Sequence, residues 1–187
     1  HLASAFFHSG YEKSMCLSYD AVGDSVSAAL AIANKKDGIK VLKTLDFESS
    51  IGMFYATMTS YLGFQQLEDE YKVMGLAPYG TVTDDLSPIM APTSEGLRLD
   101  LSYITANASS ATPFEPFYSD KLVALLGTPR LKGEPVTQRH RDIAAATQQT
   151  METCALSLIR HLHDITNEEN LCLAGGVALN CSANNNI

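Results

Sequence analysis

Residues 171–180 read LCLAGGVALN, an apolar run that passes through two glycines into a second apolar run. A buried strand that turns through Gly175 and Gly176 into a helix leaves bare backbone N–H groups at the helix start, and such groups bind phosphate. Asn180 follows about one helical turn later, where a carboxamide can reach a ribose or a base. Glycine suits this chemistry because a side chain would block close backbone approach; the same pair also suits a plain tight turn. Asp20 closes a second apolar run (MCLSYD) and is followed by AVGD, so Asp20 and Asp24 bracket a predicted turn that includes Gly23. Two carboxylates there suit a metal ion or an oriented phosphate, and equally suit the local backbone. Lys72 opens KVMGLAPYG, a cation followed by Gly75 and Gly80; alone it reads as a solvated lysine before a helix end. His161 and His163 are two apart on a helix, point to different faces and read as surface residues, as does His140. His1 has no partner legible in the sequence. No nucleophile-elbow pattern occurs, and Cys172 sits inside a predicted strand and not at an exposed, activated position.

These groups need elements to position them. Small and aromatic residues at helical spacing predict a short helix that breaks at Ser9-Gly10. Residues 15–20, 25–34 and 39–47 are rich in Val, Leu, Ile and Tyr and are separated by AVGD and KKDG, which predicts an antiparallel three-stranded meander with an Asp-Gly hairpin signal. Ser49-Ser50 can cap a helix over 51–62 with an apolar stripe of Ile51, Phe54, Tyr55, Met58, Tyr61 and Leu62, ended by Gly63. A further helix is predicted over 68–76. Residues 81–135 form an irregular excursion punctuated by Pro88, Pro92, Pro113, Pro116, Pro129 and Pro135, with one strand at 96–103. Thr137 then caps a long helix to about residue 165, before a short buried strand at 170–174, the glycine turn, and a helix start at Val177. Strands, then helices, then a strand-glycine-helix unit predict an α/β domain.

Composition bounds the function. The chain has 187 residues, of which 45% are hydrophobic and 18% charged, the usage of a globular domain able to form its own core. Lys plus Arg is 13 against 21 Asp plus Glu, a formal charge of −8, which argues against nucleic acid as a main ligand. The four cysteines contain no C-x-x-C pair, which points to a reduced, cytoplasmic protein. No apolar run approaches a membrane span. A start at His1 and an end at Asn-Asn-Asn-Ile predict a piece of a longer protein.

Four segments jointly are similar to the O-carbamoyltransferase family that includes NodU, NolO, CmcH and TobZ. They are HLASAFF from His1, SYDAVG from Ser18, the stretch from SIGMFY at Ser50 through YLGF to EYKVMGLAPYG at Glu70, and LAGGVALN from Leu173. Their order and spacing cover nearly the whole chain. The resemblance implies a single partial domain, part of a Kae1-like catalytic domain with an actin, sugar kinase and Hsp70-like (ASKHA) lobe. It implies that a separate C-terminal YrdC-like domain makes carbamoyl adenylate from ATP and carbamoyl phosphate. The Kae1-like domain would then transfer the carbamoyl group to a hydroxyl of a sugar-type acceptor, in the nodulation-factor branch.

The family's divalent metal, Fe2+ with Zn2+ or Mn2+ as alternatives, is held by an H-x-x-x-H pair, a strand-end Asp and a later Asp. His1 matches the second His and Asp20 the strand-end Asp, the first His falling before residue 1 and the last Asp after residue 187. The resemblance further implies an adenylate cradle of Asp20, Gly23, Gly75, Gly175, Gly176 and Asn180, with Lys72 beside it. Where the family has Gly after the strand-end Asp, this chain has Ala21, which would crowd a phosphate if that position needs positive φ. The other readings are a tRNA threonylcarbamoyl-transfer protein of the Kae1 type and a non-catalytic nucleotide-binding domain.

Overall fold

A computed structural model describes residues 1–105 and 115–187; Pro113 of the proline series lies outside the described residues. The fold is mixed α/β. Strands β1 (Lys13–Gly23), β2 (Val26–Asn34) and β3 (Gly38–Leu45) form the antiparallel meander, and β6 (Leu171–Ala174) joins parallel to β1, giving the order β3-β2-β1-β6. Alternation on β1 divides the core between two faces of the sheet. Met15, Leu17 and Tyr19 face helices α2 (Ile51–Tyr61) and α5 (Gln138–Thr166), whereas Cys16 joins Phe6 of α1 (Leu2–His8), Ala31, Ala33 and Cys172 in a smaller cluster on the other face. β3 is the outer strand; Lys40 is exposed on it, which discourages pairing with another chain.

The first hairpin differs from expectation in one place that matters for the site. The predicted turn at 21–24 belongs to β1 as far as Gly23, and the reversal falls on Asp24 and Ser25, both left-handed at φ +52° and +65°. Upstream of that turn the pairing slips, from Tyr19↔Ala28 to Gly23↔Val26, so residues 20, 21 and 22 stand opposite Ser27 alone. This bulge lifts Asp20 out of the regular ladder.

Ser50 caps α2, its hydroxyl oxygen accepting from Met53 N–H at 3.0 Å. The expected stripe is not what forms. Apart from Gly52, every residue of α2 is buried, because β1, α3 and α5 pack around it. α3 (Glu70–Leu76) runs into a single 3-10 turn at Ala77–Tyr79. The excursion holds more order than its prolines indicated. β4 (Met90–Thr93) and β5 (Gly96–Leu99) pair as a hairpin, Pro92 being tolerated in an isolated two-stranded ribbon, and α4 (Asp120–Leu126) follows. The strand expected over 96–103 stops at Leu99, since Asp100 accepts from Ser102 N–H and starts a 3-10 turn. α5 begins as predicted at Thr137, whose N–H donates to His140 Nδ1 at 3.1 Å. No described helix is long and apolar enough to cross a membrane.

Candidate functional site

The parallel register of β6 on β1 builds the site. Ser18 stands beside Ala174, so the chain leaves β6 directly alongside Tyr19 and Asp20. Gly175 makes that passage at φ +94°, with the carbonyl oxygen of Tyr19 only 2.2 Å from where a Cβ would lie. Gly176 then donates its N–H to Asp20 Oδ2 at 2.9 Å, while Asp20 Oδ1 accepts from Ala21 N–H at 2.8 Å. His1, the residue before α1, brings Nε2 to 3.5 Å from the same Oδ2. Imidazole and carboxylate thus meet at the amide that was expected to bind phosphate, and the anion at that amide is Asp20 itself.

Beyond the glycines the expected helix is instead a 3-10 turn over Gly176–Leu179, followed by α6 (Cys181–Asn184). Asn180 is therefore a cap rather than a residue within a helix: its Oδ1 accepts from Ala183 N–H at 3.0 Å. Its carboxamide also pairs with that of Gln148 on α5, Nδ2 donating to Gln148 Oε1 at 3.0 Å and Oδ1 accepting from Gln148 Nε2 at 2.9 Å. Tyr55 of α2 donates its hydroxyl to Gln148 Oε1 at 2.9 Å, and Gln148 Nε2 reaches Glu152 at 2.7 Å. Gln148 is 6% exposed, so this network ties the glycine turn to both core helices from inside. Gln148→Leu is expected to remove the Gln148 partner from both Tyr55 and Asn180 and to cost about 2–3 kcal/mol in urea unfolding; a loss under about 0.5 kcal/mol would mean that the network does not hold the turn.

A cavity of about 340 Å³ opens beside Asp20, lined by Ala21, Gly52, Tyr55, Tyr71, Met74 and Val177 among others. Its walls are mostly apolar, its charged groups are the carboxylates of Asp20, Glu68 and Glu70, and among the described residues no lysine, arginine or histidine lines it. Burial raises the Glu70 carboxyl above its usual range, and Asp69 and Glu68 add to the effect against the pull of nearby backbone N–H groups. Ala21 lines this cavity without positive φ, so the β-carbon that replaces the family's glycine carries no backbone strain.

The remaining expected residues lie elsewhere. Gly23 is exposed at the hairpin end and Gly75 is exposed on α3, each with open space where a Cβ would sit. Lys72 pairs with Asp69 at 2.8 Å and faces a second cavity of about 440 Å³, shared with Arg130 and Lys132. His1, Asp20, Gly175, Gly176 and Asn180 come together; Gly23, Lys72 and Gly75 do not line the cavity. Among the described residues no three His, Cys, Asp or Glu side chains form a group that could hold a metal ion. Sequence reasoning missed Gln148, Tyr55 and Glu70. The signal for Gln148 was a carboxamide between the apolar residues of α5; Tyr55 and Glu70 lie within the SIGMFY and EYKVMGLAPYG segments of the resemblance, where neither was singled out.

The family described as Carbamoyltransferase N-terminus matches the chain over residues 1–187. The nodulation protein NolO of Bradyrhizobium diazoefficiens is 37% identical over 188 residues, covering 98% of this chain and 31% of the relative. The nodulation protein NolNO of Sinorhizobium fredii is 35% identical over 184 residues, 98% and 25% of the two chains. An uncharacterised protein of Synechocystis is 37% identical over 191 residues, covering 98% of this chain and 30% of its own length. The chain spans about a third or less of the length of these relatives.

Proposed function

The chain belongs to the carbamoyltransferase N-terminal family, and on that premise we propose that it forms part of the catalytic domain of a cytoplasmic O-carbamoyltransferase. The longer protein moves a carbamoyl group from carbamoyl adenylate, made from ATP and carbamoyl phosphate in a YrdC-like domain, to a hydroxyl of a sugar-type acceptor such as a nodulation factor. The mixed sheet is one lobe of an ASKHA fold. The observation that carries this reading is the convergence of His1, Asp20 and the Gly176 N–H on one point.

An imidazole and a carboxylate 3.5 Å apart are a donor set suited to a divalent ion such as Fe2+, Zn2+ or Mn2+. His1 and Asp20 would hold it as two of its ligands, and when bound it supplies Lewis-acid polarisation of the carbamoyl or phosphate oxygen. The chain's own groups do the rest. The Gly176 N–H orients the Asp20 carboxylate. The Gln148–Asn180 pair fixes the turn that carries that N–H, and Tyr55, Met74 and Val177 give the cavity beside it a mostly apolar wall.

The test is an assay of the full-length protein with ATP, carbamoyl phosphate and a panel of chitin oligosaccharides. AMP and a carbamoylated sugar are the expected products. Absence of both, under conditions where a known family member gives both, would overturn the reading.

A further inference from the structure

The second cavity, of about 440 Å³, neighbours the first at the start of α3, and Glu68 lines both. Their charges differ in kind. Lys72, Arg130 and Lys132 line the second, whereas among the described residues the charged groups of the first are all carboxylates. Three of the 13 Lys and Arg residues of a chain with formal charge −8 thus meet at one concavity.

The backbone fixes two of these cations in place. Arg130 donates from Nε to the Glu134 carbonyl at 2.9 Å and from Nη1 to the carbonyls of Leu62 at 2.8 Å and Gly63 at 3.3 Å. Its guanidinium lies over the Phe64 ring, 4.9 Å from the centroid, and Lys72 Nζ lies 5.9 Å from the same centroid. Gly63 permits the approach: φ is +70°, and a Cβ there would lie 2.4 Å from the Arg130 carbonyl oxygen. Lys132 stands at the tip of a turn that closes with the Glu134 N–H donating to the Leu131 carbonyl at 3.1 Å, Gly133 taking φ +91°. The Glu134 carboxylate is occupied in accepting from the Leu131 N–H at 2.8 Å. Asp69 is matched by Lys72 at 2.8 Å. Among the described residues, Arg130 Nη2 and the Lys132 ammonium have no hydrogen-bond or ion-pair partner, and Glu68 is the carboxylate of the cavity left to oppose them.

We propose that this cavity binds a phosphate group, free or carried by a small monoester, held by Arg130 Nη2 and Lys132 with Lys72 beside them. A planar guanidinium and a point-charge ammonium are the side chains that suit phosphate oxygens, and the Phe64 ring offers a wall to the organic part of an ester. The site is independent of the function proposed above.

Lysine footprinting of the full-length protein tests it. Brief acetylation with an N-hydroxysuccinimide ester, read by peptide mass spectrometry, reports Lys132 and Lys72 separately from any other phosphate site, with exposed Lys36 as reference. Inorganic phosphate or glucose 6-phosphate is expected to slow acetylation of Lys132 and Lys72 severalfold and to leave Lys36 unchanged, while chloride at equal ionic strength does neither. Protection at a lower concentration of the sugar phosphate assigns the site to a monoester; equal protection by both assigns it to the phosphate alone. Lys132→Glu, at an exposed turn, should raise the concentration that half-protects Lys72 by about tenfold or more, and Lys132→Arg should restore it. Acetylation of Lys132 that neither compound slows at about 10 mM, where a millimolar site is filled, overturns the assignment. Slowing that extends equally to Lys36 does so too, since it marks ionic screening, as does unchanged protection of Lys72 in a Lys132→Glu protein whose thermal melt matches wild type.

Discussion

Asp20→Ala in the full-length protein is expected to leave less than about a tenth of the bound metal and to lower carbamoyl transfer by about 10³-fold. Three groups converge on this carboxylate: the N–H of Ala21, the N–H of Gly176 and the imidazole of His1. Alanine removes one of the two donors proposed for the metal and leaves the His1 imidazole alone. The fold should survive. The Asp20 side chain is 39% exposed, so water can reach the two freed amides, and the stability cost should stay near about 1 kcal/mol. Asp20→Asn separates the roles, because its carbonyl oxygen still accepts from Gly176 but is a weaker ligand than a carboxylate. Elemental analysis of both variants beside a thermal melt checks the assignment; metal retained at the wild-type ratio in a folded Asp20→Ala protein would sink it.

Gly175→Ala is expected to cost about 3–5 kcal/mol in urea unfolding. Two penalties coincide at this position. The added carbon would lie 2.2 Å from the Tyr19 carbonyl oxygen and 2.8 Å from its carbon, both backbone atoms, and φ +94° is strained for any residue with a Cβ. Relief requires β6 to move away from β1, which withdraws the Gly176 N–H from Asp20. Gly75→Ala is the matched control. No atom lies within 4 Å of its prospective Cβ and it sits within α3, so alanine there should be neutral or stabilise by up to about 1 kcal/mol. Equal behaviour of the two variants would contradict the steric account.

The parts of the fold legible in the sequence are those where one local rule was enough. Period-two alternation and the Asp-Gly turn gave the meander, Ser50 and Thr137 marked helix starts, and LCLA between polar residues gave β6. Rules that compete misled. Pro92 argued against a strand, yet β4 forms because its hairpin has no further neighbour to need the missing N–H. A bulge leaves no sequence mark, so the extension of β1 to Gly23 was hidden by a plausible turn at the same residues. The closeness of His1, Asp20 and Gly176 followed from family resemblance, not from spacing, since 156 positions separate the last two. Glu70 and Tyr55 stood in the segments of the resemblance, but that they line one cavity was not legible, because it follows only when α2, α3 and the glycine turn surround it.

That separation also sets an order of events during folding. The meander is local and can pair as soon as residue 45 is available, but the second edge of β1 is closed only by β6, at residues 171–174. A nascent chain that has made the meander therefore carries an unpaired edge of sequence MCLSY for more than a hundred further residues. Apolar edges of that kind are templates for pairing between chains. Loop-closure entropy makes β6 a late arrival, and the carboxylate-to-amide contact of the site forms with it. Truncations that end before residue 171 should consequently aggregate through β1, and acquisition of the site should coincide with the disappearance of that exposed edge.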